Sequence, residues 1–297
     1  MPFCDTQTIT QLLKREGLLG KKIVTRPLEG GLWNNALRVD SAKRSFVFKT
    51  FSEFDESAFF PNSLSNEAEA LTRLDGLRVS PTFVAIWPEK NLLVYEYISG
   101  STWSGDVAPV ARLLRRKESV DPHGFPLGKL SPQALLSEAK SIYEKCLTPE
   151  PPPCPASLEL SAPERLSLIH RDVGPNNLIG SGDGLRLIDW QCPTQGDLTE
   201  DIYSFLSPAF QIVSERQPLN DRQIDVFFQV LDEPTVARRY WQLAPFYAWR
   251  MIAYCQWRAE THSVAAIRAR YSQAAAAEAA FLYRSTSTTP SFCAALD

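Results

Sequence analysis

Histidine and cysteine are scarce in this chain: three of the first and six of the second among 297 residues. The cysteines stand far apart, at 4, 146, 154, 192, 255 and 293, with no C-x-x-C pair. Together with so few histidines this excludes a zinc cluster, and free thiols in a reducing cytoplasm are expected. An excess of basic charge is also missing. Thirty-one Lys and Arg face 34 Asp and Glu, for a net charge of −3, so neither nucleic acid nor an anionic membrane surface is an expected partner. No apolar run approaches the ~20 residues of a membrane span. Met1–Asp5 has neither the basic head nor the apolar core of a signal peptide, and a cytoplasmic location is expected. What remains is ordinary: 44% hydrophobic and 22% charged residues, at a length that suits a two-lobed globular body.

One stretch is not ordinary. Residues 168–190 read LIHRDVGPNNLIGSGDGLRLIDW. His170-Arg171-Asp172 is followed by Asn177 and then by Asp189 inside a short apolar run. This is the order H-R-D-x-x-x-x-N and a later apolar-flanked Asp, the base-and-metal layout of ATP-dependent phosphoryl transfer. That chemistry needs a carboxylate to orient the attacking hydroxyl and oxygen ligands to hold Mg²⁺ against the phosphates. Asp172, Asn177 and Asp189 are those residue types in that order. The apolar pairs on either side of Gly180-Ser181-Gly182-Asp183-Gly184 predict a hairpin, which would bring Asn177 and Asp189 close enough to share metal ions.

Upstream lie parts suited to a nucleotide. Asp5 or Thr6 can cap a first amphipathic helix closed by Gly17. Strand-like runs follow at 22–28, 36–39 and 45–51, the first two joined by Glu29–Asn35 with its Gly30-Gly31 pair. Paired glycines let backbone N–H groups approach a phosphate, although Gly-Gly is also an ordinary hairpin turn. The third run, SFVFKTF, sets Lys49 among apolar residues, where kinases hold the α- and β-phosphates. A helix is expected over 62–74, bearing Glu67 and Glu69. Either could pair with Lys49, and Glu67 is favoured. The buried run NLLVYEY then passes through Glu96, Tyr97 and Ile98 into Ser99-Gly100, a connector whose backbone suits an adenine.

Taken as a series, Glu29–Asn35, Lys49, Glu67, Tyr95–Ile98, HRDVGPNN and LIDW resemble the aminoglycoside phosphotransferase / choline kinase superfamily, over about residues 20–205. The resemblance implies an α+β, protein-kinase-like fold of two lobes. An N-lobe of antiparallel sheet plus helix spans 1–98, and a mostly helical C-lobe spans 99–297. It implies ATP and Mg²⁺ as cofactors, with the nucleotide between the lobes. Gly30, Gly31 and Asn35 lie in its phosphate loop, Lys49 is on the phosphates, Asp172 is the base, and Asn177 and Asp189 are on the metal. Asp201 then matches a helix-borne Asp that braces the catalytic loop, and His170 a mainly structural residue. The chain departs from the pattern at Trp190-Gln191, where many choline and thiamine kinases have an aromatic residue and Glu. A neutral Gln191 offers no charge to an ammonium. With eleven residues between Asp189 and Asp201 and no A-P-E, a peptide-cradling activation segment does not fit, so small-molecule acceptors are favoured.

Past the motif the chain reads as helical, at 198–213, 221–231, 234–259 and 264–283, with a poorly ordered tail over 285–297. Residues 240–257 are rich in aromatics. Trp190, Gln191, Trp249, Tyr254 and Trp257 form a candidate wall for the acceptor, by stacking or cation–π attraction, while packing between helices is the alternative use. The basic run in 105–130, at Arg112, Arg115, Arg116 and Lys117, reads as a solvated helix face. The expected activity is Mg²⁺- and ATP-dependent phosphorylation of a hydroxyl on a small metabolite of choline, ethanolamine, thiamine, amino-sugar or aminoglycoside type. The alternative is a catalytically silent nucleotide-binding module. Oligomeric state is not legible.

Overall fold

The computed structural model describes residues 5–18, 23–28, 34–41, 44–52, 59–148 and 151–287, with backbone alone at 286 and 287. The chain divides into two compact units, Met1–Ser101 with Ile179–Pro193, and Thr102–Leu178 with Thr194–Asp297.

The first unit opens on helix α1 (Thr6–Arg15), whose N-cap Asp5 accepts a hydrogen bond from the Thr8 amide at 2.7 Å. Ile9, Leu12 and Leu13 recur at helical spacing and pack under the sheet against Leu37, Val39, Phe46 and Val94. Strands β1 (Ile23–Leu28), β2 (Asn35–Ser41) and β3 (Arg44–Thr50) precede helix α2 (Leu64–Arg73), and β4 (Phe83–Trp87) and β5 (Leu92–Glu96) complete the sheet. It is antiparallel, in the order β1-β2-β3-β5-β4. Strand β4 was not among the expected elements. Its run FVAIW is short, and the turn at Pro88–Lys90 that follows ends on Asn91 in the left-handed region, φ 48°. Lys49 sits in the sheet's central strand, opposite Ala36 on one side and Leu93 on the other, and its side chain is buried.

The second unit begins with α3 (Ala108–Lys117) and α4 (Pro132–Tyr143) and reaches β6 (Ser167–Ile169). After a two-stranded hairpin of β7 (Leu178–Ile179) and β8 (Arg186–Leu187), the chain returns with β9 (Thr194–Gly196), which pairs antiparallel with β6, Ile169 opposite Thr194. Helices α5 (Leu198–Leu206), α6 (Pro208–Val213), α7 (Asp221–Leu231), α8 (Pro234–Thr261) and α9 (Ala265–Ser287) follow.

Three expectations need correction. The single helix over 198–213 is two helices. Proline at 208 disfavours helical geometry at Ser207, which turns extended (φ −60°, ψ 129°), closes α5 and caps α6 through its own hydroxyl. The tail is helical as far as Ser287, and 288–297 lie outside the described residues. The basic run of α3 is solvated at Arg112 and Arg115, but Lys117 is wholly buried.

Helices α5, α6 and α9 meet at a buried carboxylate. Glu278 of α9 accepts hydrogen bonds from Tyr203 Oη (2.5 Å), Ser207 Oγ (2.7 Å) and the Ala209 amide at the start of α6 (3.0 Å). Burial raises its pKa, and the three donors oppose the rise only in part. With the folded-state pKa above the unfolded one, Glu278 contributes most below the ordinary carboxylate range and loses its contribution as the pH rises through the raised value. Glu278→Gln should therefore flatten the decline of melting temperature between acid and neutral pH. Glu278→Ala, which leaves the buried Tyr203 and Ser207 hydroxyls without this acceptor, should lower stability by about 3 kcal/mol, measured by denaturant unfolding.

Candidate active site

In the first unit Lys49 Nζ donates to two carboxylates, Glu67 on α2 and Asp189 just past β8. Glu67 is placed by its helix. Ser63 caps α2 by accepting from the Asn66 amide, and Glu67 falls in the first turn on the buried side. Glu69 instead pairs with Arg73 along the surface of the same helix. Burial works against the Lys49 charge, but Asp189 and Glu67 outweigh it and hold the ammonium above its ordinary range. Glu67 is pushed up to about 7 by burial, with the Lys49 charge opposing and the Asp189 charge adding to the rise. One ammonium thus serves two carboxylates. The one with access to solvent is Asp189, whose side chain is 31% exposed against 1% for Glu67.

Around Asp189 the chain is tightly held. Asp189 has φ 67°, a left-handed value uncommon for a non-glycine residue. Trp190 is fully buried and donates from Nε1 to the Leu187 carbonyl at 2.9 Å. The Gln191 carbonyl accepts from the Ser63 amide at 3.0 Å, and its Oε1 accepts from Asn34 Nδ2 at 2.8 Å. Asn34, which the sequence reading passed over, also exchanges hydrogen bonds with Asn62 and accepts from the Ser52 amide. Asn35 is in β2 opposite Thr50. Gly30 and Gly31 lie outside the described residues. In the connector, the Glu96 and Tyr97 amides donate to the Thr82 and Ser45 carbonyls, the Glu96 side chain pairs with Arg44, and Ile98 follows.

In the second unit β6 leads directly into the catalytic loop. Asp201 of α5 accepts from the backbone amides of His170 (3.0 Å) and Arg171 (2.7 Å). Arg171 has φ 71°, and the Asp172 amide turns onto His170 Nδ1 at 3.2 Å. Asn177 Nδ2 then donates to both the backbone carbonyl and the Oδ2 of Asp172, each at 2.9 Å. With its amino end engaged, Asn177 keeps Oδ1 as the end suited to a hard cation. Among the described residues no group of three or more His, Cys, Asp or Glu side chains is gathered to hold a metal.

The aromatic residues of α8 divide. Trp249 is core: its ring packs on Tyr143 at 4.9 Å and its Nε1 donates to the Pro152 carbonyl. Tyr254 is buried against Tyr271 of α9, and the electrostatic field of Asp172 reaches both phenols. Trp257 is half-buried, with the Arg258 guanidinium 5.4 Å from its ring centre. Sequence reasoning missed Lys117, whose Nζ lies 2.9 Å from Asp201 Oδ2. The signal was present: Val110, Leu113, Leu114 and Lys117 occupy one helical stripe, so the lysine stands where an apolar residue belongs.

Comparison with known proteins agrees with the fold. No curated protein is similar enough in sequence to count as a relative. Among solved structures, a choline/ethanolamine kinase family protein from Mesorhizobium loti superposes with a TM-score of 0.65 at 17% identity, covering 97% of this chain and 96% of that one. The choline kinase LicA from Streptococcus pneumoniae gives 0.63 at 16%, over 93% and 100%. A spectinomycin phosphotransferase, APH(9)-Ia, solved with ADP and spectinomycin, gives 0.60 at 13%, over 94% and 99%. These likenesses show the protein-kinase-like α+β fold. The sequence model of the phosphotransferase enzyme family (APH) matches residues 24–240, well over half of the chain, and the protein belongs to that family of small-molecule kinases.

Proposed function

We propose that the protein transfers the γ-phosphoryl group of ATP, with Mg²⁺, to a hydroxyl of a small metabolite. The observation that carries this reading is the pair of hydrogen bonds from Asn177 to Asp172, which fixes a carboxylate in the catalytic loop and turns an amide oxygen toward metal chemistry. Asp172 orients the acceptor hydroxyl and takes its proton as the bond to phosphorus forms. Lys49, charged and buried, would hold the nucleotide phosphates, with Glu67 keeping its ammonium in place. Gly30, Gly31 and Asn35 belong to the phosphate loop in this reading, and Glu96–Ile98 to the adenine side. Mg²⁺ bound by Asn177 and Asp189 would offset the charge that develops on the phosphoryl oxygens. Nucleotide use is supported by the ADP found in the spectinomycin phosphotransferase.

For the acceptor, Tyr254 of the aromatic wall is buried against Tyr271. The faces of Trp257 and Tyr271 already carry the chain's own Arg258, at 5.4 and 5.7 Å. A quaternary ammonium there would meet a like charge, and Gln191 supplies no carboxylate, so a neutral, sugar-like hydroxyl compound suits this chain better than choline. No helix among the described residues is long and apolar enough to cross a membrane. A cytoplasmic setting, where ATP is abundant and thiols stay reduced, agrees with Cys146, Cys154, Cys192 and Cys255 forming no disulfide among the described residues. A silent nucleotide-binding module is disfavoured because Lys49, Asp172, Asn177 and Asp189 are all retained.

The test is Mg²⁺-dependent ADP release across neutral sugars and sugar alcohols alongside amino sugars, aminoglycosides, thiamine, choline and ethanolamine. One acceptor should stimulate release in the wild type, whereas Asp172→Ala should lower kcat by a factor of about 10³ or more, with nucleotide affinity nearly unchanged. Stimulated turnover at wild-type rate in Asp172→Ala would remove the residue from the mechanism. Asp189→Ala should act differently, by abolishing the rise in melting temperature that Mg·ATP gives the wild type. Mg·ATP protection equal to that of the wild type would take Asp189 off the metal.

A further inference from the structure

Behind the catalytic loop lies a buried charge that the transfer chemistry does not itself use. Lys117, the last residue of α3, and Asp201 are both 0% exposed at the side chain. The Lys117 ammonium reaches two places at once: Asp201 Oδ2 at 2.9 Å and the carbonyl of Leu168 at 2.8 Å. Leu168 belongs to β6, the strand that feeds the loop, and Asp201 receives the amides of His170 and Arg171. A single cation therefore ties the entering strand to the carboxylate that holds the next two amides. The tie has something to restrain. Arg171 has φ 71°, a left-handed backbone that a non-glycine residue keeps only where its surroundings impose it, and Asp172 is the next residue.

The burial is particular to this lysine. Arg112 and Arg115 of the same helix point to solvent, whereas Lys117 completes the apolar stripe of Val110, Leu113 and Leu114. A carboxylate enclosed in apolar surroundings is strongly disfavoured without a countercharge, so removing the ammonium loosens the acceptor on which the loop hangs.

We infer that Lys117 is a positioning residue for phosphoryl transfer: through Asp201 and Leu168 it fixes the backbone of His170 and Arg171, and so sets the direction in which Asp172 presents its carboxylate. The inference rests on Asp172 as the base. Displacing a reacting group by about 1 Å can slow a reaction by of order 10²-fold, which sets the scale of the effect.

The experiment uses the full chain and compares wild type, Lys117→Met, Lys117→Arg and the surface control Arg112→Met. Lys117→Met should lower kcat by about 10- to 100-fold while KM for ATP changes by less than about threefold. Lys117→Arg, which restores a cation, should recover part of kcat. Hydrogen exchange, read without substrate on peptides spanning 166–173, should be about tenfold faster in Lys117→Met and unchanged in Arg112→Met. If Lys117→Met does not fold, the double variant with Asp201→Asn carries no unmatched buried charge and should show the same loss of kcat and loop protection.

A folded Lys117→Met protein with wild-type kcat and wild-type loop protection overturns the proposal. So does a variant in which kcat and KM deteriorate together and exchange rises across the whole chain, which would be general destabilisation. Failure of the wild type to phosphorylate any acceptor would strike the role of Asp172 instead, and the exchange data, which need no turnover, would still show whether Lys117 holds the loop.

Discussion

The arrangement of the second unit follows from a carboxylate placed where water cannot reach it. Asp201 is enclosed by its partners, and each partner is thereby held in turn: the ammonium of α3, the amides of His170 and Arg171 and, through that ammonium, the strand ahead of them. Its neighbour Glu200 repeats the pattern one residue earlier. Glu200 lies between Arg171 and Arg250, and Arg250 also reaches Glu138 of α4. Lys117, Arg171 and Arg250 thus face Glu138, Glu200 and Asp201, with no excess of either sign in this set. Buried ions are tolerated only in near-complete sets with good geometry, so the cluster permits few arrangements of α3, α4, α5 and α8. The free energy it contributes is secondary. What it supplies is specificity, at the place where phosphoryl transfer depends on position.

The first unit follows the opposite rule. There one buried ammonium faces two carboxylates, and the surplus negative charge lies on the more exposed Asp189. A balanced cluster has no use for a further ion, whereas an unbalanced one leaves room for a cation of the kind proposed above. Burial is the main cause of the rise at Glu67; Lys49 opposes it and the second carboxylate, Asp189, adds to it. Read together, the two clusters separate what is fixed from what is exchanged. Charges beneath the catalytic loop are neutralised within the chain. Charges around Lys49 are not balanced by this set of side chains, which is where the proposed nucleotide and metal would act.

Part of the fold was legible in the sequence. The order of Asp172, Asn177 and Asp189 stands out as a pattern of oxygen donors at fixed spacing, and the structure ties Asn177 to Asp172 by two hydrogen bonds. Helix α1 and helix α2 were legible for a related reason. Their apolar residues recur at the helical period, and Asp5 and Ser63 supply the local caps. The break at Ser207 was also written locally, in Pro208, but a continuous apolar pattern on both sides concealed it.

Lys117 shows where such reading fails, and why. A charged residue within a basic run is, on average, a surface residue, and for Arg112 and Arg115 that average holds. Lys117 departs from it because its partners are Leu168 and Asp201, which the chain brings to it from far along the sequence. Nothing within a helical turn of Lys117 names them. What is local is the clash between two patterns: the apolar stripe predicts a buried position and the residue type predicts an exposed one. The conflict resolves only if a countercharge waits inside. A lone lysine on an apolar helical stripe is therefore a statement about some other, distant residue. In this chain that residue is the carboxylate on which the catalytic loop depends.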